Sequence, residues 1–156
     1  MLQLRDYQKD IIDKGLDIIN RHRFLYLAME VRTGKTLTSL GIADRMNDVD
    51  NVLFLTKKKA ISSIVKDHEL MCPNSISLFV INYESIHKAP DIKWDMVICD
   101  EAHGMGAFPK PSGRTKKVKE VINKSNPYVI LLSGTPTPES YSQMYHQVYF
   151  IPTNPF

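Results

Sequence analysis

Three short polar strings in this sequence combine residue types that could act together on a phosphate group. Residues 32–36 read Arg-Thr-Gly-Lys-Thr, residues 100–103 read Asp-Glu-Ala-His, and residues 133–136 read Ser-Gly-Thr-Pro. Each string follows an apolar run that is typical of a buried strand. Because the carboxyl ends of parallel strands meet at one edge of a sheet, we expect the three strings to lie close together. Their order and context predict a protein that uses ATP.

The first string has the chemistry of a phosphate-binding loop. Gly34 would let backbone N–H groups approach the phosphates, Lys35 would neutralise phosphate oxygens, and the Thr36 hydroxyl can ligate Mg²⁺. The match to the full loop spacing is partial, because Met29 stands where that spacing requires a glycine. A lone Gly-Lys-Thr is often a surface turn, but a strand before it and a helix after it favour the phosphate loop.

The second string places two carboxylates directly after an apolar run. Asp100 can hold Mg²⁺, usually through water, and Glu101 can orient and deprotonate an attacking water. The alternative is an acidic pair that ends a strand and faces solvent. We expect both carboxylates to lie close to Lys35 and to the string that begins at Ser133, and this proximity favours the catalytic interpretation.

Apolar periodicity predicts the elements that must position these strings. Strands are expected at 24–29, 52–55, 77–81, 96–99 and 128–132, and helices at 4–20, 37–46, 60–70, 115–123 and 139–150. Alternating strands and helices predict right-handed crossovers and a mainly parallel sheet covered on both faces. We therefore expect a three-layer α/β/α fold, with residues 1–156 forming a single domain.

Composition limits the class of protein without identifying a partner. The chain has 156 residues, of which 43% are hydrophobic and 24% charged, as in an ordinary globular protein. Its net charge of +3 is compatible with a polyanionic partner. The two cysteines, Cys72 and Cys99, have no zinc-like spacing, and Cys99 is expected to be a buried, reduced thiol. No signal peptide or membrane-spanning run is apparent, so we expect a cytoplasmic protein without a membrane partner.

A fourth string, Leu-Arg-Asp-Tyr-Gln at residues 4–8, precedes the phosphate loop. The Gln8 amide could read an adenine edge with one donor and one acceptor, although for Gln8 alone a solvent-facing helix position is the favoured interpretation. In this order and spacing, the four strings resemble the first RecA-like lobe of superfamily 2 helicases. Within that superfamily the chain most resembles the Swi/Snf-type DNA translocases, which include bacterial and phage members.

The resemblance covers nearly the whole chain, and it implies a RecA-like P-loop NTPase domain that uses ATP and Mg²⁺. It implies nucleic acid as partner, with double-stranded DNA favoured, and a second RecA-like lobe of the same polypeptide. ATP binding would fall to Arg5, Gln8, Arg32, Thr33, Gly34, Lys35 and Thr36. Catalysis would fall to Lys35, Asp100 and Glu101, with Mg²⁺ held by Thr36 and Asp100 through phosphates and water.

The same resemblance implies residues that communicate with nucleic acid. Ser133 and Thr135, with His103 near them, would couple hydrolysis to motion. Lys57, Asn82 and Tyr83 fall where such proteins contact the strand backbone. The lysines at 57–59 would equally suit the exposed start of a helix, and the basic stretch at 110–119 favours a solvated loop over a phosphate contact.

Two departures from the family pattern affect the expected activity. Arg32 stands where this family usually has glycine, which could alter the loop geometry or the nucleotide affinity. The second lobe is absent from this chain, and an arginine finger supplied by a partner element can be worth about 10³- to 10⁵-fold in rate. The resemblance therefore implies the ATP-binding motor lobe of a DNA-dependent ATPase, which binds nucleotide but hydrolyses it poorly alone.

Two other functions remain open at the level of sequence. A P-loop ATPase or phosphotransferase that does not act on nucleic acid would need an acceptor pocket and an arginine-bearing lid, and no arginine-rich lid is evident. A non-catalytic nucleotide-binding module would accommodate Arg32 and the missing lobe.

Overall fold

The computed structural model describes residues 6–28, 35–71, 75–100 and 120–133. Five strands are present in this part of the chain: β1 Phe24–Ala28, β2 Asn51–Thr56, β3 Ser77–Asn82, β4 Met96–Cys99 and β5 Tyr128–Ser133. The helices are α1 Asp6–His22, α2 Lys35–Arg45 and α3 Ile61–Met71. Short 3₁₀ segments occupy Lys58–Ala60 and Tyr83–Lys88, and residues 120–125 are helical.

The five strands form one parallel sheet in the order β1-β5-β4-β2-β3. Parallel strands need a crossover between them, and α2 connects β1 to β2 while α3 connects β2 to β3. The sequence prediction of a mainly parallel α/β sheet is confirmed.

The sheet is covered on both faces, as its side-chain alternation requires. Along β2, Val52 and Phe54 enter one apolar cluster, while Leu53 and Leu55 enter another on the opposite face. The first cluster includes residues of α1, α2 and α3, and the second includes residues from the 3₁₀ segment Tyr83–Lys88 and from 120–125. The predicted three-layer arrangement is therefore confirmed.

Close packing between α1 and α2 fixes the helix that follows the first strand. A Cβ atom added at Gly41 would lie 2.7 Å from Ile12 Cδ1, and one added at Gly15 would lie 2.8 Å from Ile42 Cδ1. Such distances are shorter than a carbon–carbon contact allows, so glycine at these two positions lets the helices approach. The glycines thus leave room for the ends of the Ile12 and Ile42 side chains between α1 and α2.

Most element boundaries agree with the sequence prediction to within two residues. Strand β4 has the predicted bounds, whereas α2 begins at residue 35 instead of 37, and the expected helix start at residue 60 is a 3₁₀ turn that leads into α3. Of the predicted helix 115–123, the described part is helical from 120 and extends to 125. The predicted helix 139–150 lies outside the described residues. Within the described ranges, no helix combines the length and the apolar character needed to cross a bilayer.

Candidate functional site

All five strands end at the same edge of the sheet, which we call the carboxyl edge. The last residues pair as Ala28 with Ser133 and Thr56 with Asn82, and the last residue of β4 pairs with Leu55. Strand β5 lies between β1 and β4, so the ends of β1 and β4 are about 10 Å apart at the usual strand spacing. This topology brings the end of the first strand and the acidic string to one edge.

The amino end of α2 completes this edge. Strand β1 ends at Ala28 and α2 begins at Lys35, so the predicted phosphate loop occupies the connection between them. The first turn of a helix presents unpaired N–H groups and a partial positive charge, which suits an anion. Thr36 is half-buried in this turn, and Ser39 Oγ donates a hydrogen bond of 2.8 Å to its carbonyl oxygen. The predicted strand before this segment and the predicted helix after it are confirmed.

Asp100 is the acidic residue of this edge that the structure describes in full. It follows β4 directly and is only 6% exposed. Its Oδ2 atom accepts a hydrogen bond of 2.9 Å from Thr56 Oγ1, and its N–H group donates one of 2.8 Å to the Leu55 carbonyl oxygen. Burial of a carboxylate is costly unless hydrogen bonds compensate, so these contacts hold Asp100 in a defined place.

Tyr83 lies behind Asp100 rather than at the surface. Its side chain is 3% exposed, and its hydroxyl donates a hydrogen bond of 2.6 Å to the Asp100 carbonyl oxygen. The Tyr83 ring packs inside the sheet's second apolar cluster, and the assignment of Tyr83 to a nucleic-acid contact stays a prediction. Asn82 is half-buried, with Nδ2 donating to Glu84 Oε2 at 3.1 Å, and Lys57 is exposed before the 3₁₀ turn at Lys58–Ala60.

Cys99 confirms the expected inert thiol. It is fully buried, and this burial, reinforced by the adjacent Asp100 charge, raises the pKa of the Cys99 thiol far above its usual range. A thiol held in its protonated form is a poor nucleophile and a poor metal ligand. Cys99 therefore contributes to packing beneath the site.

The remaining predicted site residues lie wholly or partly outside the described part of the chain. Gln8, Lys35 and Ser133 are placed by their backbone in α1, α2 and β5, but their side chains are outside it. The residues wholly outside are Arg5, Arg32, Thr33, Gly34, Glu101, His103 and Thr135. Their assigned roles stay predictions.

The donor chemistry at this edge suits magnesium. Mg²⁺ prefers oxygen ligands and in nucleotide sites is bound through one or two carboxylates together with phosphates and water. Asp100 supplies a carboxylate and Thr36 a hydroxyl at the edge where phosphates would bind the start of α2. Among the described residues, no three His, Cys, Asp or Glu side chains are grouped as a metal site.

A cavity of about 320 Å³ lies at the opposite edge of the sheet, away from Asp100. Its lining includes Arg23, Asp48, Asp95 and Tyr128, at the amino ends of the strands. The predicted site and this cavity are therefore separate regions of the molecule.

The sequence profile of the SNF2-related domain matches residues 45–156. The chain belongs to this family. A second profile, that of the res subunit of type III restriction enzymes, matches residues 1–72 of the SNF2-related chain. No curated protein sequence matches this chain.

Solved structures share the fold of this SNF2-related domain. The Sulfolobus solfataricus SWI2/SNF2 ATPase core in complex with dsDNA aligns with a TM-score of 0.81 at 18% identity, over 97% of this chain and 36% of that one. The core domain from the same organism gives 0.78 at 17% identity, over 98% and 35%. A nuclease-deletion mutant of the type ISP restriction-modification enzyme LlaGI, with a DNA substrate mimic, gives 0.60 at 18% identity, over 86% and 18%.

These likenesses confirm the RecA-like fold class of the SNF2-related chain. At identities of 17% to 18%, these similarities establish the fold and nothing further. The chain spans about a third of the length of the SWI2/SNF2 chains it matches.

Sequence reasoning missed Thr56 as a site residue of the SNF2-related domain. Its signal was a polar residue at the end of an otherwise apolar strand, directly before Lys57. The signal can be interpreted only once the strand order is known, because that order places β2 beside β4 and Thr56 beside Asp100.

Proposed function

We propose that the chain is the ATP-binding motor lobe of a DNA-dependent ATPase of the helicase or translocase class, which couples hydrolysis to movement along nucleic acid. The observation that carries the proposal is the shared edge, where the start of α2, Asp100 and the end of β5 come together in an SNF2-related fold. A cytoplasmic location is part of the proposal.

The proposed nucleotide site uses the chain's own groups in distinct ways. Lys35 and the first N–H groups of α2 bind the phosphates, with residues 32–34 forming the loop around them. Thr36 and Asp100 hold Mg²⁺, which supplies charge neutralisation on the phosphates when it is bound. Glu101 orients the attacking water and accepts its proton. Arg5 and Gln8 bind the adenine end.

The proposed partner is double-stranded DNA. A SWI2/SNF2 ATPase core of the same fold was solved in complex with dsDNA, and LlaGI with a DNA substrate mimic. In this chain, the exposed Lys57 and the half-buried Asn82 follow and end the adjacent strands β2 and β3, so both lie at the carboxyl edge. We assign them to the contact with the DNA backbone, and His103, Ser133 and Thr135 to coupling.

A second RecA-like lobe of the same polypeptide completes the proposed active site. The coverage of about a third of each SWI2/SNF2 chain is consistent with one lobe of a longer motor. Without the charge that the second lobe supplies, we expect this chain to bind ATP and to hydrolyse it about 10³- to 10⁵-fold more slowly than the whole protein.

Calorimetric titration of the 156-residue chain with ATP and Mg²⁺ tests the proposal. The wild-type chain should bind, and Lys35→Ala should lose binding, because the variant removes the cation that neutralises the phosphates. Lys66→Ala is the matched control, since Lys66 is an exposed lysine on α3. Absence of binding at millimolar ATP would contradict the proposal and favour a non-catalytic interaction module.

The nucleic-acid part of the proposal needs the longer protein. With the second lobe present, duplex DNA should stimulate ATP hydrolysis. Turnover that is equally fast without DNA would favour a P-loop enzyme of another class.

A further inference from the structure

We propose that Thr56 and Tyr83 are positioning residues that hold Asp100 for its role in binding Mg²⁺. The proposal rests on the function proposed above and assigns two residues outside the phosphate loop and the acidic string to the same site. Neither residue needs to touch the nucleotide, because each acts through Asp100.

Hydrogen bonds with neighbouring elements hold Asp100 in place. Thr56 Oγ1 donates to the Asp100 carboxylate at 2.9 Å, and Tyr83 Oη donates to the Asp100 carbonyl oxygen at 2.6 Å. The Asp100 N–H group donates to the Leu55 carbonyl oxygen at 2.8 Å. The side chain and the peptide group of Asp100 are thus held by atoms from β2 and from the segment after β3.

Both hydroxyls belong to buried side chains with apolar surroundings. Thr56 is 0% exposed at the end of a strand whose four preceding residues are all buried and apolar. The Tyr83 ring packs in an apolar cluster with Leu55 and Cys99. Valine at position 56 and phenylalanine at position 83 would fill the same spaces without a polar atom that needs a hydrogen-bond partner. The presence of hydroxyls at both positions is therefore best explained by their hydrogen bonds to Asp100.

Metal sites commonly depend on such supporting hydrogen bonds. A partner that orients a metal-binding carboxylate is typically worth about 10- to 100-fold in metal affinity or activity. Thr56 orients one carboxylate oxygen of Asp100 directly, whereas Tyr83 acts on the backbone of Asp100. We therefore expect a larger effect from Thr56 than from Tyr83.

The test compares ATP affinity with Mg²⁺ and with a chelator in the 156-residue chain. Thr56→Val removes one hydroxyl at nearly constant volume, and it should reduce the Mg²⁺-dependent gain in affinity by about tenfold, while the affinity without metal stays unchanged. Tyr83→Phe should reduce the same gain by a smaller factor. Thr56→Ser, which keeps the hydroxyl, should restore most of the gain.

A purely structural role predicts a different pattern. If Thr56→Val lowers both affinities equally, or leaves the Mg²⁺-dependent gain at its wild-type value, the positioning role is overturned while the proposed function stands.

Hydrogen exchange of the Asp100 amide provides a readout that needs no nucleotide. Thr56→Val and Tyr83→Phe should each decrease its protection, because each variant releases one of the contacts that hold this residue. A wild-type chain that binds no ATP would overturn the proposed function. Unchanged protection in both variants would overturn the positioning role, even where the wild-type chain binds ATP.

Discussion

The two edges of the sheet use their polar residues differently. At the amino edge, charged side chains contact backbone N–H groups and the hydroxyl and ring of Tyr128. At the carboxyl edge, neutral hydroxyls donate hydrogen bonds to Asp100 and orient it.

Hydrogen bonds and a ring contact link residues of the amino edge. Asp95 Oδ2 accepts hydrogen bonds from the N–H groups of Asp50 and Asn51, at 3.0 and 2.9 Å. The Tyr128 hydroxyl donates to Asp48 Oδ2 at 2.7 Å, and the Arg23 guanidinium lies 4.4 Å from the Tyr128 ring centre. These contacts tie the starts of several strands together.

Under the proposed function, the amino edge serves stability and the carboxyl edge serves nucleotide binding. The Asp95 carboxylate accepts hydrogen bonds from backbone N–H groups, and such charge-assisted hydrogen bonds stabilise the folded state. Asp100 is buried at the edge where α2 begins, and it accepts hydrogen bonds from the hydroxyls of Thr56 and Tyr83. Changes at the amino edge should therefore alter unfolding, whereas changes at the carboxyl edge should alter nucleotide binding.

The largest effect should come from the core that joins both edges. Phe54 is 0% exposed in the middle of β2, and Phe54→Ala should lower the free energy of unfolding by about 3–5 kcal/mol because it leaves a cavity. Urea unfolding followed by circular dichroism measures the loss. Val65→Ala is the control, since Val65 is 39% exposed and should change stability by less than about 0.5 kcal/mol. Equal losses in the two variants would contradict the described packing.

A smaller effect should separate the two edges. Asp95→Ala leaves the N–H groups of Asp50 and Asn51 without their carboxylate, so the free energy of unfolding should fall by about 2–3 kcal/mol. Under conditions where the variant is folded, its affinity for Mg²⁺–ATP should equal that of the wild type. Asp44→Ala, at an exposed position on α2, is the matched control for stability. Weakened nucleotide binding in folded Asp95→Ala would show that the two edges are not independent.

The smallest effect should depend on pH. The hydrogen bond to Asp48, then burial and the Asp48 charge, raise the pKa of Tyr128 above its ordinary value of 10.0, against the opposing effect of Arg23. The folded chain thus holds this proton more tightly than the unfolded chain. The resulting stability is fully present below pH 10 and is lost as the pH rises through the raised pKa.

Tyr128→Phe should remove that contribution. We expect a loss of about 1 kcal/mol at neutral pH and a smaller decline of stability above pH 10 than in the wild type. Urea unfolding at pH 7 and above pH 10 measures both quantities. A decline equally steep in Tyr128→Phe would assign the alkaline dependence to other groups.

The sequence was sufficient to predict the described strands and α-helices and the edge of the sheet at which Asp100 lies. A run of four apolar residues before Asp100 defines β4, and a glycine-lysine pair after β1 defines the turn into α2. These signals are local in the chain, so apolar periodicity and turn chemistry suffice to find them.

The contacts around Asp100 could not be predicted in the same way. They depend on the strand order, in which β4 pairs with β2 and β5 instead of following chain order. The burial of Tyr83 was missed because a six-residue 3₁₀ segment is too short to give a periodic signal. The roles of the residues outside the described ranges rest on the motifs.

Nuclear magnetic resonance titration of the ¹⁵N-labelled chain with Mg²⁺–ATP tests the central claim most directly, because it reports on both edges at once. The amide resonances of Lys35, Thr36 and Asp100 should shift as nucleotide is added, while those of Asp95 and Tyr128 should stay in place. Shifts confined to the amino edge, around the cavity lined by Asp95 and Tyr128, would contradict the assignment of the nucleotide site to the carboxyl edge.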